Sequence, residues 1–192
     1  MRRRKVLALV AGAIIGATMA ATPRVSPART AGGIDISTAM RILAEEKTLA
    51  ANGARMLERF GKDDVANYAL GINLYAEAEA AFDGLIEQLK TELALGRAPG
   101  GSPDFKAALE RAVRKREAFV NFVQSDIVPK AAGHRNPWPA VIAGAEGLLK
   151  ALTEAGTKVW QGYRDADAAG RAQVTGQLEA QKWPSYDQAI KG

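Results

Sequence analysis

Residues 102–128 read SPDFKAALERAVRKREAFVNFVQSDIV. Ser102 offers a cap oxygen, Pro103 suits the first helical position, and Asp104 complements the positive end of the helix dipole. Behind that start, Phe105, Leu109, Ala112, Phe119, Val120, Val123 and Ile127 recur at three-, four- and seven-residue intervals. That rhythm is one apolar face of a long helix, and such a face needs partners of the same kind.

The flanking sequence supplies them. Upstream, 64–95 carries Val65, Tyr68, Ile72, Tyr75, Phe82, Ile86, Leu89 and Leu93, with Asp63 or Asp64 as cap and Gly96 as stop. At ~1.5 Å per residue it reaches nearly ~50 Å. Before it, 38–60 places Ile42, Leu43, Leu49, Ala50, Met56, Leu57 and Phe60 on one side, between a Ser37 cap and Gly61. Residues 96–101 read as a turn. Downstream, 129–139 breaks the pattern with Pro129, Gly133, Pro137 and the Trp138-Pro139 pair. A fourth helix is expected over 140–163, lined by Val141, Ala145, Leu148, Leu152, Val159 and Tyr163. A fifth, weaker one starts at Asp165 or Asp167 and runs to Lys182, with only Val174 and Leu178 as bulky apolar anchors; Pro184 ends it. No segment alternates with period two. The expected fold is all-α, an up-down antiparallel bundle of four long helices plus the weaker C-terminal helix, spanning 37–192.

The N-terminus reads as an address. Arg2-Arg3-Arg4-Lys5 precedes an uncharged apolar run from Val6 to Ala21 and then Thr22-Pro23, the parts of an export signal over residues 1–21. The run is short for a membrane span, so cleavage is expected near Ala20 or Ala21, with an uncleaved inner-membrane anchor as the alternative. Residues 22–36, with Pro23, Pro27, Gly32 and Gly33, read as a flexible linker. The expected location is periplasmic or secreted.

Removing the signal changes the charge. The whole chain has 26 basic and 21 acidic residues; Arg2, Arg3, Arg4 and Lys5 leave with the signal, so 22 face 21 and the net falls from +5 to +1. The basic balance therefore belongs to targeting and argues against a nucleic-acid partner. With no cysteine, disulfides, thioether haem and thiolate metal sites are excluded. The core alone must hold the domain.

Three ionisable residues fall on apolar stripes. Arg116 lies in the middle of the 105–127 stripe, Glu79 between Tyr75 and Phe82, and Glu46 between Leu43 and Leu49. Unpartnered buried charge is costly, and an arginine fork can hold a carboxylate with two parallel hydrogen bonds. The cluster reads first as an ion pair that fixes helix register. Read as a ligand pocket, Arg116 would bind an anion and Glu79 or Glu46 would act as a base, with Asp83 one turn beyond. A di-metal carboxylate bundle needs Glu-x-x-His units. The sole histidine, His134, lies in a loop, so no metal or cofactor is expected. That loop, 133–138, reads as ordinary exposed chain. No Gly-x-Ser-x-Gly elbow or phosphate loop occurs.

Arg111, Arg114 and Lys115 form a basic patch opposite the 105–127 stripe. It reads as a solvated face, or as a contact with anionic lipid. Trp160, Tyr163, Trp183 and Tyr186 gather toward the C-terminus. They are expected to pack the fifth helix against the fourth or, if exposed, to let Trp183 and Tyr186 dock a partner. The leading functional expectation is a non-catalytic interaction or adaptor module that binds another envelope protein. The alternatives are a small-ligand-binding protein built on Arg116, Glu46 and Glu79, and an enzyme using those carboxylates.

Overall fold

The structure, a computed structural model, describes residues 36–134, 138–139 and 142–191. The expected signal and nearly all of the expected linker lie outside them. The described chain is all-helical: α1 (Ser37–Phe60), α2 (Val65–Ala94), α3 (Pro103–Phe122), α4 (Ala145–Arg164), α5 (Ala168–Glu179) and a short α6 (Tyr186–Lys191).

Local chemistry sets most boundaries. Asp64 caps α2 by accepting from the Asn67 N–H, Ser102 caps α3 by accepting from Phe105, and Asp167 caps α5 by accepting from Gly170. At the end of α2 the chain closes a Schellman motif: Arg97 N–H donates to Glu92 O and Gly96 N–H to Leu93 O. Gly96 sits at φ 66°, a left-handed position that glycine reaches without the clash a Cβ would bring.

Five expectations need correction. Ser37 is the first residue of α1, and Ile36 holds the cap position without a side-chain bond. Ile36 is itself buried in the core, so the expected linker stops before it. Helix α4 begins at Ala145, because 142–144 are non-helical and the Ala143 carbonyl is taken by a side chain of α3. The fifth helix, expected to run to Lys182 and stop at Pro184, ends at Glu179, and α6 follows the proline. Val65, placed on the core stripe, is 78% exposed; it opens α2 at the tip of the α1–α2 turn.

The third helix runs past its α-helical end. Val128 N–H reaches back five residues to Val123 O, giving one wide turn over Val123–Ile127, and a tight 3-10 turn covers Val128–Ala131. Pro129 explains the change of pitch: it has no N–H to donate and its ring crowds the carbonyl one turn back.

Contacts between helices give their directions. Across α2 and α3, Gly71 meets Phe122, Tyr75 meets Phe119, Glu77 meets Lys115 and Glu92 meets Ser102, so the two run antiparallel. Glu58–Tyr68 and Leu57–Gly71 make α1 and α2 antiparallel. Glu46–Arg116 and Gly53–Phe119 make α1 and α3 parallel.

Helix α3 is the centre of this arrangement, and its phenylalanines show how it is seated. Phe105 lies over Gly156 of α4, Phe119 over Gly53 of α1 and Phe122 over Gly71 of α2. Each of the three neighbours presents a glycine where an α3 ring needs room. A Cβ built at Gly53 would stand 2.7 Å from Phe119, and one at Gly71 would stand 2.7 Å from both Leu57 and Phe122. These partners are themselves buried, so they have little room to give way. Gly84, by contrast, lies exposed in the interior of α2, with nothing within 4 Å of a built Cβ.

Gly53→Ala and Gly71→Ala are therefore expected to lose about 1–3 kcal/mol to overpacking, despite alanine's better helix propensity. Gly84→Ala is expected to gain about 0.5–1 kcal/mol. Urea unfolding of the three variants checks the opposite signs.

Candidate functional site

The residues flagged by the sequence divide between two places. Arg116 is 2% exposed and forks onto Glu46: Nε donates to Oε2 at 2.8 Å and Nη2 to Oε1 at 3.0 Å. Its remaining terminal nitrogen, Nη1, donates to the Ala143 carbonyl at 2.9 Å. One guanidinium thus ties α1, α3 and the chain entering α4. All three of its nitrogens are engaged by protein acceptors, which is the arrangement that offsets desolvation of a buried ion pair.

Glu79 is not part of this cluster. It lies half-buried on α2 between Tyr75 and Asp83, which share its side of the helix at four-residue spacing. It accepts no hydrogen bond from a described residue. Burial, then the neighbouring Asp83, pushes its carboxyl above the ordinary range. Asp83 is also raised, mainly by burial, although it accepts the Trp183 backbone N–H at 3.1 Å. The grouping of Arg116, Glu46 and Glu79 is thus a hydrogen-bonded pair and a carboxylate bonded to neither among the described residues. Among the described residues, no group of three or more His, Asp or Glu is placed to hold a metal ion.

Trp183 is 4% exposed. Its ring stacks on Phe82 at 4.8 Å and tilts toward Tyr75 at 6.1 Å. Tyr186 is half-buried, edge-on to Tyr75 at 5.5 Å. Both rings therefore pack on α2 and not on α4, and Trp183 is not available as an exposed anchor. The reason is the turn after α5, which carries the chain back across α2 before α6 forms. The basic patch also changes: Lys115 is paired with Glu77 of α2 at 2.6 Å, leaving Arg111 and Arg114 exposed. His134 is exposed with its ring 5.5 Å from Phe60; residues 135–137 lie outside the described chain. Trp138 is half-buried against the core beside Gly53.

The sequence reading missed a second buried carboxylate. Glu92 is 0% exposed. It accepts from Ser102 Oγ at 2.7 Å, Gln88 Nε2 at 2.8 Å and Arg97 Nε at 2.9 Å. Burial pushes its carboxyl up, but donation from Ser102, Gln88 and Arg97 outweighs that and the net direction is down. Ser102 therefore does two jobs: it caps α3 and fastens α3 to the end of α2. The signal was present as a seven-residue repeat on α2, Gly71, Ala78, Leu85 and Glu92, all buried. Leu85 is the single bulky apolar residue of this second inward face.

Shallow grooves lie elsewhere. One of about 310 Å3 runs between α2 and α3, lined by Ala80, Ala81, Gly84, Ala107 and Ala108, with Asp104 and Arg111 at its edge. No described helix is long and apolar enough to cross a membrane. No protein-family model matches the chain, and neither does any of the curated proteins or solved structures compared with it.

Two stability predictions follow from the buried carboxylates. Arg116→Met leaves Glu46 without its partner and is expected to cost about 3–5 kcal/mol, much of which returns when Glu46→Leu is added; a denaturation double-mutant cycle measures it. For Glu92 the folded value lies below the unfolded one, so its stabilisation is complete above the unfolded value and fades as pH falls through the folded value. Glu92→Gln should be less stable than wild type at pH 7, with the gap closing below about pH 4; urea midpoints across pH check it.

Proposed function

We propose that the chain is an exported, non-catalytic interaction module of the cell envelope, built as an up-down antiparallel bundle of four long helices. The observation that carries this reading is the outer face of α2 and α3. On α2, Ala69, Asn73, Ala76, Ala80 and Gly84 follow one another at three- and four-residue steps, and all are exposed. A long helix that is also apolar on its outward side is normally a covered helix. Small residues there allow another backbone to approach closely. Gly84 is the telling position, since alanine would suit the isolated domain better.

The partner fitting this face is a helix of a second envelope protein with Asp or Glu opposite Arg111 and Arg114. Arg111 lines the groove and Arg114 lies exposed three residues on, with no carboxylate of this chain bonded to either among the described residues. The face takes over the docking role first assigned to Trp183 and Tyr186. The small-ligand reading has less support, because Arg116 is fully occupied by Glu46 and Ala143. Export rests on residues 1–21 as read from sequence.

Gly84→Trp should leave the melting temperature close to wild type while blocking the partner. A photo-crosslinking residue at Ala80 or Ala107, in cells, should trap one acidic envelope protein, whereas the same residue at Ala172 on α5 should not. Adducts that ignore position, or that survive Gly84→Trp, would overturn the assignment.

A further inference from the structure

The α2–α3 face leaves the opposite side of α2 unexplained, where the C-terminal segment crosses. After α5 the chain turns through Gln181 and Lys182, whose N–H groups donate to Leu178 O and Glu179 O. It then lies over α2 and ends on α1. Its attachments are few and specific. Asp83 Oδ1 accepts the Trp183 N–H, Tyr75 Oη donates to Pro184 O at 2.6 Å, Tyr186 Oη donates to Glu58 at 3.4 Å, and Arg55 Nη1 donates to Ala189 O at 3.2 Å. The Trp183 and Tyr186 rings supply the apolar contact with Phe82 and Tyr75.

Closing this segment also strands polar groups. Trp183 Nε1 is buried without a hydrogen-bond partner, and Glu79 is half-buried with no donor among the described residues. An unsatisfied buried group destabilises the closed form. A terminal segment with few hydrogen bonds and stranded polar groups belongs to the low-stability end of a fold. We propose that residues 183–191 form a displaceable strap, closed over Glu79 and Asp83 when these carboxyls are protonated and released when both are charged. Opening uncovers Tyr75 and Phe82, an aromatic face on the far side of α2 from the Arg111 groove, so the strap stands or falls independently of partner docking there.

The direction follows from linkage. Burial raises both carboxyls in the closed form, so closing takes up protons and is favoured at lower pH, and the strap weakens as pH rises through the raised values. Other charged and titratable groups surround the strap. From α1 come Lys47, Arg55 and Glu58, from α5 Glu179, from the segment between α5 and α6 Lys182, from α6 Tyr186, and on α2 itself Tyr75, Glu87 and Lys90. Glu58 is held low by Lys62 and then Tyr68, Glu87 by Lys182 and then Lys90, and Glu179 by Lys182 and then Lys90, down to about 2. Tyr75 and Tyr186 are pushed up, chiefly by burial. Glu58, Glu87 and Glu179 therefore stay charged, and Lys90, Lys182, Tyr75 and Tyr186 stay protonated, while Glu79 and Asp83 change state.

Hydrogen–deuterium exchange of the full chain at pH 4 and pH 8, corrected for intrinsic rates, tests this. Protection of 183–191 should be severalfold greater at pH 4, while α3 amides keep theirs. Glu79→Gln with Asp83→Asn should abolish the difference, with circular dichroism confirming an unchanged helical fold. Equal protection at both pH values in the wild type, or a pH difference that survives in the double variant, would overturn the proposal.

Discussion

The interior of this protein is organised around one guanidinium. Arg116 is among the most deeply buried of its large side chains, and a charge in that position is tolerable only when its donors are engaged. Glu46 takes two of its nitrogens and the Ala143 carbonyl takes the third. Because the fork is planar and its acceptors come from α1 and from the approach to α4, satisfying it fixes the register of α3 against both. A slide of any of these elements by a residue would break parallel hydrogen bonds in a place water cannot readily repair.

Packing adds a second constraint of opposite character. The α3 phenylalanines need space, and Gly53, Gly71 and Gly156 provide it on three different neighbours. Polar clamp and glycine sockets act at different heights along the same helix. Glu92 then fastens its start through Ser102, and Pro129 alters its pitch at the far end. Without disulfides, uniqueness comes from these discrete interlocks, set in an interior otherwise made of interchangeable aliphatic contacts.

Much of this could be read from residues alone. The Ser102-Pro103-Asp104 start, the α3 stripe, the caps Asp64 and Asp167, and the two anchors Val174 and Leu178 all depend on local chemistry, which sequence displays directly. The Arg116–Glu46 pairing was legible as a problem, a charge among apolar residues, with an obvious solution. Glu79 misled because phase on a helix wheel gives a direction but not a neighbour. The wheel could not show that the C-terminal segment crosses beside it, bonded to Tyr75 and Asp83 one turn to either side. Glu92 was hidden because its face of α2 is built from Gly71 and Ala78, which a search for bulky residues passes over. Helix α6 was missed because a proline preceded it and six residues carry little periodicity. Trp183 was expected against α4; its seat on α2 comes from a turn back across α2 that nothing local announces.

The functional reading inherits this split. The buried polar groups are committed to holding the helices together, which leaves surfaces as the place for recognition: the small-residue face of α2 and α3, and the aromatic face under the C-terminal segment. The claim beneath both is that Arg116 is a structural clamp whose donors are spent. Nitrogen-detected NMR of the arginine side chains addresses it directly. The account predicts distinct, slowly exchanging resonances for the Arg116 terminal nitrogens, unchanged by added anions such as phosphate or acetate. A single averaged signal from a freely rotating guanidinium, or one that shifts as an anion is titrated, would contradict it.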